Sequence, residues 1–125
     1  MIVGIGIDVV HTQRLRRWEA VPGLFDRYYH PAEVAESARK GAGGILSLAA
    51  RFAAKEAFGK ALGSGLKGII LRDIIVTNDA AGKPIMHLEG TARAALEKAG
   101  GQRVLVSLSH EQDNALAMVV IEATP

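Results

Sequence analysis

"RFAAKEAFGKALGSG", Arg51 to Gly65, is the stretch on which the reading of this chain turns. Alanines, two phenylalanines and a leucine make it a helix built to be buried, and the glycines of "GSG" (Gly63 to Gly65) stop it with a C-terminal cap. The helix starts near Ile45 or Ser47, after the break "GAGG" (Gly41 to Gly44), and runs to about Leu62. At about 1.5 Å per residue it is about 25 Å long, enough to cross a small domain. Glu56 stands in the middle of it. Residues three and four apart share a helix face, so Phe52, Glu56, Gly59, Lys60 and Gly63 line up, with Gly59 and Gly63 clearing that face. The plain reading is a surface ion pair between Glu56 and Lys60, contributing about 0.2–0.5 kcal/mol. Against it stands the apolar character of the helix, because a buried carboxylate needs a cation beside it. Lys60 can be that cation, and so can a metal ion shared with a second acid.

Asp8 is the candidate for that second acid. "MIVGIGIDVV" alternates with period two, placing Val3, Ile5, Ile7 and Val9 on one face of a strand and Gly4, Gly6 and Asp8 on the other. Glycine inside a strand is destabilising unless another backbone, a helix or a ligand comes close, so something packs tightly against the face that ends in Asp8. Two carboxylates with waters and phosphate oxygens form a typical Mg²⁺ site. Arg51, Lys55 and Lys60 then read as phosphate partners, with Lys55 equally able to be solvated.

The remaining sequence sets the bounds. At 125 residues the chain is one domain, 1–125, with 49% apolar and 22% charged residues, the composition of an ordinary soluble globular protein. No apolar run approaches a membrane span and no leader pattern is visible, so a cytoplasmic address is expected. Without cysteine there is no disulfide, thiolate nucleophile or cysteine metal site. A net charge of +2 gives little reason to propose nucleic acid. Locally, "HTQRLRRW" gathers Arg14, Arg16 and Arg17, either a solvated helix face or a patch able to meet a phosphate or an acidic protein surface.

Thr12 to about Glu36 reads as irregular helix, broken at Pro22 and Gly23 and reopened by Pro31. "GIILRDIIVTNDAAGKPIMHL" reads as a hairpin with Gly82 left-handed, and "GTARAALEKAGG" as a short helix with Thr91 as its N-cap. "QRVLVSLSH" and "ALAMVVIEA" form a second hairpin around "EQDN". Helices and hairpins without a strand-helix-strand rhythm predict an α+β fold, an antiparallel sheet against the long central helix. His110, behind Ser107 and Ser109, either fills a surface turn or presents that stretch to a phosphate. Adjacent strand residues point to opposite faces, so Ser109 and His110 do not suggest a hydrolase triad. "GIGID" lacks the full G-x-G-x-x-G of a dinucleotide fold.

Taken together, "GIGIDVV", "RFAAKEAFGKALGSG", "GKP" (Gly82 to Pro84) and "VSLSHE" resemble the holo-acyl-carrier-protein synthase family of 4'-phosphopantetheinyl transferases, over most of the chain and in the right order. The resemblance implies the fold of that family and transfer of 4'-phosphopantetheine from coenzyme A to a serine of apo-acyl carrier protein. It implies Asp8 and Glu56 as Mg²⁺ ligands, Lys60 beside the coenzyme A phosphates, and Arg51, Ser109 and His110 against the phosphoadenosine part. Gly63, Ser64, Gly65 and Pro84 match segments that shape the nucleotide pocket. Arg14, with Arg17 more loosely, matches the surface that meets the carrier protein's acidic helix. The resemblance also implies a homotrimer with active sites between subunits, as in members of this short type. Many relatives carry a basic residue shortly before the long helix; this chain has "GAGGILSLAA" there, with Arg39 and Lys40 upstream as substitutes. The alternatives are a noncatalytic carrier-protein or nucleotide-binding module and a purely structural trimer.

Overall fold

The structure, a computed structural model, describes residues 1–125. Strand β1 (Ile2–His11) leads into helices α1 (Thr12–Glu19), α2 (Leu24–Tyr28), α3 (Pro31–Ala38) and the long α4 (Gly44–Leu62). Then follow β2 (Ile74–Asn78), β3 (Pro84–Leu88), α5 (Gly90–Lys98), β4 (Arg103–Glu111) and β5 (Asn114–Glu122). The strands form an antiparallel three-stranded sheet in the order β1-β5-β4 and a separate β2-β3 hairpin. The fold is α+β, with α4 crossing the inner face of the larger sheet.

That inner face is made of small residues. Gly6 pairs with Val119 and Asp8 with Ala117 across β1 and β5, and Ala115, Ala117, Val119 and Ile121 are buried. A methyl group at Gly6 would overlap the Ala57 carbonyl oxygen and lie 2.8 Å from the Ala61 nitrogen; at Gly4 it would overlap the Ala61 carbonyl. The close approach expected from the bare strand face is therefore made by the backbone of α4. Its apolar residues, Ala49, Phe52, Ala53, Ala57 and Phe58 among them, are buried in the core on all sides. The other face of β1 is inverted relative to an ordinary half-buried strand: Val3, Ile5, Ile7 and Val9 are exposed, with Ile5 at 59%.

Local chemistry explains the short elements. His30 and Glu33 close a capping box at the start of α3 with Pro31 behind it, and Gly63, at φ 82°, caps α4 as its position predicts. Two expectations change. The run from Gly68 does not enter a strand until Ile74, because Leu71–Asp73 turns as a 3₁₀ segment. Thr91 is not the N-cap of α5. Glu89 holds that position, and the capping carboxylate comes from Asp73, whose Oδ2 accepts from the Thr91 nitrogen at 2.8 Å and from its hydroxyl at 2.6 Å. A tertiary acceptor thus does what a local side chain was expected to do.

Candidate active site

Asp8 sits near the end of β1 on the helix-facing side, and α4 brings Lys60 to it. Lys60 Nζ donates to Asp8 Oδ1 at 2.9 Å and to the Ile7 carbonyl at 3.0 Å. The expected pair between Glu56 and Lys60 is therefore replaced by one reaching across to β1, where the lysine gains two acceptors at once. Glu56 takes part in no hydrogen bond or ion pair. Burial pushes its carboxyl above the usual range, the Asp8 carboxylate pushes the same way, and Arg14 and Lys60 oppose them. Two carboxylates thus face each other's field, Lys60 is bonded to Asp8 alone of the two, and its side chain is still 56% exposed.

A second concavity, a cavity of about 290 Å³, opens between the first turns of α4, the end of β2 and the end of β4. Lys40, Ser47, Arg51, Asn78, Ser109 and His110 lie around it. His110 pairs with Ala115, a buried inner-face residue, so it stands on the helix side of the sheet. Arg51 is only 1% exposed. Its Nε donates to the Val76 carbonyl at 3.0 Å, Nη1 to Ser47, and Nη2 to Asn78 Oδ1 at 3.0 Å.

The structure thus brings Asp8, Glu56 and Lys60 together, and separately Arg51, Ser109 and His110. Gly63, Ser64 and Gly65 lie at the far end of α4 and Pro84 opens β3; none of these four lines the cavity of Arg51. Gly59 does not clear the Glu56 face for a ligand, because a methyl there would lie 3.0 Å from the Gly65 backbone and from Leu66. Lys55 is neither solvated nor a phosphate partner. Its ammonium and the Glu33 carboxylate are both fully buried, 2.7 Å apart. Arg14 is exposed and lies with its guanidinium 5.4 Å from the Trp18 ring and 5.3 Å from the Phe52 ring, so it rests on the aromatic cluster at the surface. Arg16 and Arg17 are exposed.

Sequence reasoning missed Asn78, Ser47 as a side chain, and Glu36. Asn78 has a visible signal, four residues before the turn glycine Gly82, but that signal reads as turn chemistry; its Nδ2 indeed donates to the Gly82 carbonyl at 2.9 Å. Nothing local marks Glu36 as the residue 3.2 Å from Arg51.

The fold and the paired carboxylates beside a half-exposed lysine define a small α+β protein equipped to handle a phosphate ester. Comparison with known proteins makes the class particular. The sequence model described as the 4'-phosphopantetheinyl transferase superfamily matches residues 4–119, and the chain belongs to that superfamily. It is 49% identical to a holo-[acyl-carrier-protein] synthase of Treponema denticola, over 98% of this chain and 99% of the relative. The crystal structure of holo-[acyl-carrier-protein] synthase from Neisseria meningitidis superposes with a TM-score of 0.86 at 40% identity, covering 98% of this chain and 99% of that one. The Bacillus anthracis holo-(acyl-carrier-protein) synthase, solved in complex with coenzyme A (3',5'-ADP), gives a TM-score of 0.80 at 35% identity, covering 99% of both chains.

Proposed function

We propose that this protein transfers the 4'-phosphopantetheine group of coenzyme A to a serine of apo-acyl carrier protein, releasing adenosine 3',5'-bisphosphate, in support of fatty acid biosynthesis. The observation that carries the reading is the convergence of Asp8, Glu56 and Lys60, with Lys60 Nζ 2.9 Å from Asp8, in a chain 49% identical to a holo-[acyl-carrier-protein] synthase. In the reaction the serine oxygen attacks the pantetheine-linked phosphorus, and the bond from that phosphorus to the oxygen of the adenosine bisphosphate breaks. The enzyme's task is to align the two oxygens and neutralise charge on the phosphate.

The donor set fits Mg²⁺. Both carboxylates are hard oxygen ligands, Glu56 lacks any hydrogen-bond donor, and no third ligating side chain joins them, which leaves room for waters and phosphate oxygens. Asp8 and Glu56 would hold the ion, which when bound supplies charge neutralisation and a more acidic water. Lys60, more than half exposed, leaves Asp8 for the phosphate oxygens it is long enough to reach.

Arg51, Ser109 and His110 face the phosphoadenosine part, and Gly63, Ser64, Gly65 and Pro84 shape the nucleotide pocket. Along α4, Arg51 and Lys60 are about 13 Å apart in rise, and Gly63, Ser64, Gly65 and Pro84 do not line the cavity of Arg51 in the same subunit. A homotrimer with its sites between subunits resolves this, and the exposed row of Ile5, Ile7 and Val9 with Met118 supplies an apolar face to bury. Arg14, fixed over Trp18 and Phe52, and the free Arg17 would meet the acidic helix of the carrier protein. No helix is long and apolar enough to cross a membrane, and the reading places the enzyme in the cytoplasm, with its two substrates.

Intact-mass spectrometry of an apo-acyl carrier protein incubated with this protein, coenzyme A and Mg²⁺, beside a chelator control, tests the reaction. A gain of one phosphopantetheine that disappears with chelator is expected. No gain with several carrier proteins, from folded enzyme, would leave a binding module. Native mass spectrometry of Ile5→Asp tests the assembly: the trimer should dissociate, and a trimer that persists would remove the β1 face from the interface.

A further inference from the structure

Arg51 is a buried cation at the 290 Å³ cavity, and it makes four hydrogen bonds and one ion pair. A guanidinium offers five N–H groups. Nε donates to Val76, Nη1 to the hydroxyl and carbonyl of Ser47, and Nη2 to Asn78, while Glu36 Oε1 lies 3.2 Å from Nη2. A phosphate entering the cavity meets an Arg51 already paired with a carboxylate. Most of these partners cannot leave. Val76 and Ser47 are buried, and Asn78 is held in place by its own bond to Gly82. Glu36 differs: it stands on the last turn of α3, makes no other bond, and its side chain keeps 22% exposure. Lys40, the other lysine or arginine at the cavity, is exposed.

We infer that Glu36 is a displaceable counter-ion that neutralises Arg51 in the empty cavity and gives way to a phosphomonoester, so that it sets the affinity for the phosphorylated ligand. This rests on the reading of the cavity as the site of the phosphoadenosine part, and it specifies which ligand group that site selects. A dianionic phosphate forms stronger, charge-assisted bonds to a guanidinium than a singly charged, half-solvated carboxylate does. A ligand without that phosphate has nothing with which to displace Glu36, and it gains nothing from Arg51. The carboxylate therefore lowers the affinity for the phosphorylated ligand and leaves the other unaffected. It also couples the end of α3 to occupation of the cavity.

Titration calorimetry of coenzyme A and 3'-dephospho-coenzyme A, on wild-type protein and on Glu36→Gln, tests it. Coenzyme A should bind the variant about tenfold more tightly, the factor that about 1.4 kcal/mol represents, while dephospho-coenzyme A binds both proteins alike. Glu36→Ala, with melting temperatures recorded for both variants, should give the same selective gain and separates loss of charge from altered packing. An equal gain for both ligands would make Glu36 a diffuse charge and overturn the proposal, as would no gain for either. If wild-type protein binds neither ligand, the assignment of the cavity itself falls, a result distinguishable from the others before any variant is measured.

Discussion

Lys55→Met would remove the cation from a fully buried ion pair, and its cost can be worked out group by group. Lys55 Nζ lies 2.7 Å from Glu33 Oε1 and also donates to the carbonyls of Leu71, at 2.9 Å, and Ile74. The Glu33 carboxylate accepts in addition from the nitrogens of His30 at 3.0 Å and Val76 at 3.1 Å. One pair thus joins α3, α4 and the entry to β2. Burial pulls the Lys55 pKa down, and Glu33 holds it up against that pull. Without the ammonium, a carboxylate remains in the core with amide donors only, and the Leu71 and Ile74 carbonyls lose their bond to Lys55. Breaking a buried pair from one side costs about 3–5 kcal/mol. For a domain of 125 residues, at about 4 °C per kcal/mol, melting should fall by about 12–20 °C. Glu33→Gln combined with Lys55→Met removes both charges and should recover more than half of that loss. Calorimetric melting at pH 7, at one protein concentration, reads both numbers. A loss from Lys55→Met below about 1 kcal/mol, the worth of an exposed pair, or a double variant no more stable than the single one, would refute the reasoning.

Two further outcomes follow from the same geometry. Gly6→Ala should destabilise by about 3 kcal/mol or more, because the new methyl meets the Ala57 and Ala61 backbone rather than a side chain able to turn aside; a melting temperature within about 4 °C of wild type, about 1 kcal/mol, would mean that α4 yields easily. Glu56→Gln should be more stable than wild type at pH 7 without divalent metal, since a carboxyl whose folded pKa is raised makes the ionised form unfavourable in the fold. That advantage is absent below the unfolded carboxyl pKa of about 4.3, where both states are protonated, and appears as pH rises through the folded value. Added Mg²⁺ should raise the melting temperature of wild type and leave Glu56→Gln unmoved; an advantage that grows toward low pH would overturn the assignment of the raised pKa.

Legibility in the sequence divides along the line between local and tertiary causes. The long helix, its glycine cap and the two-faced strand β1 are readable because their causes lie within a few residues: apolar spacing, a left-handed glycine and period two. The sorting of the lysines is not. Lys55 and Lys60 sit on the same helix, and which one is buried depends on Glu33, 22 residues upstream in sequence from Lys55, and on Asp8, which takes Lys60 at 2.9 Å. The cap of α5 escapes for the same reason, since Asp73 reaches it from another segment. Arg51 is legible as a cation near a ligand site, but the commitment of its donors depends on where the Val76 carbonyl and Asn78 come to rest.

The glycines of β1 tie these halves together. Helices pack on side-chain ridges at about 8–10 Å between axes, and a strand face of valine or isoleucine would hold α4 at least that far from β1. Gly4 and Gly6 let the backbone at Ala57 and Ala61 come into contact with the strand itself. The approach has a chemical consequence one step along each element: Asp8 follows Gly6 on the same face, and Glu56 and Lys60 flank Ala57 on α4. Only at that separation does one lysine bond Asp8 and the Ile7 carbonyl together while Glu56 feels the Asp8 charge. The bare strand face is thus a condition for the two-carboxylate site, and the apolar row displaced to the outside of β1 is its counterpart.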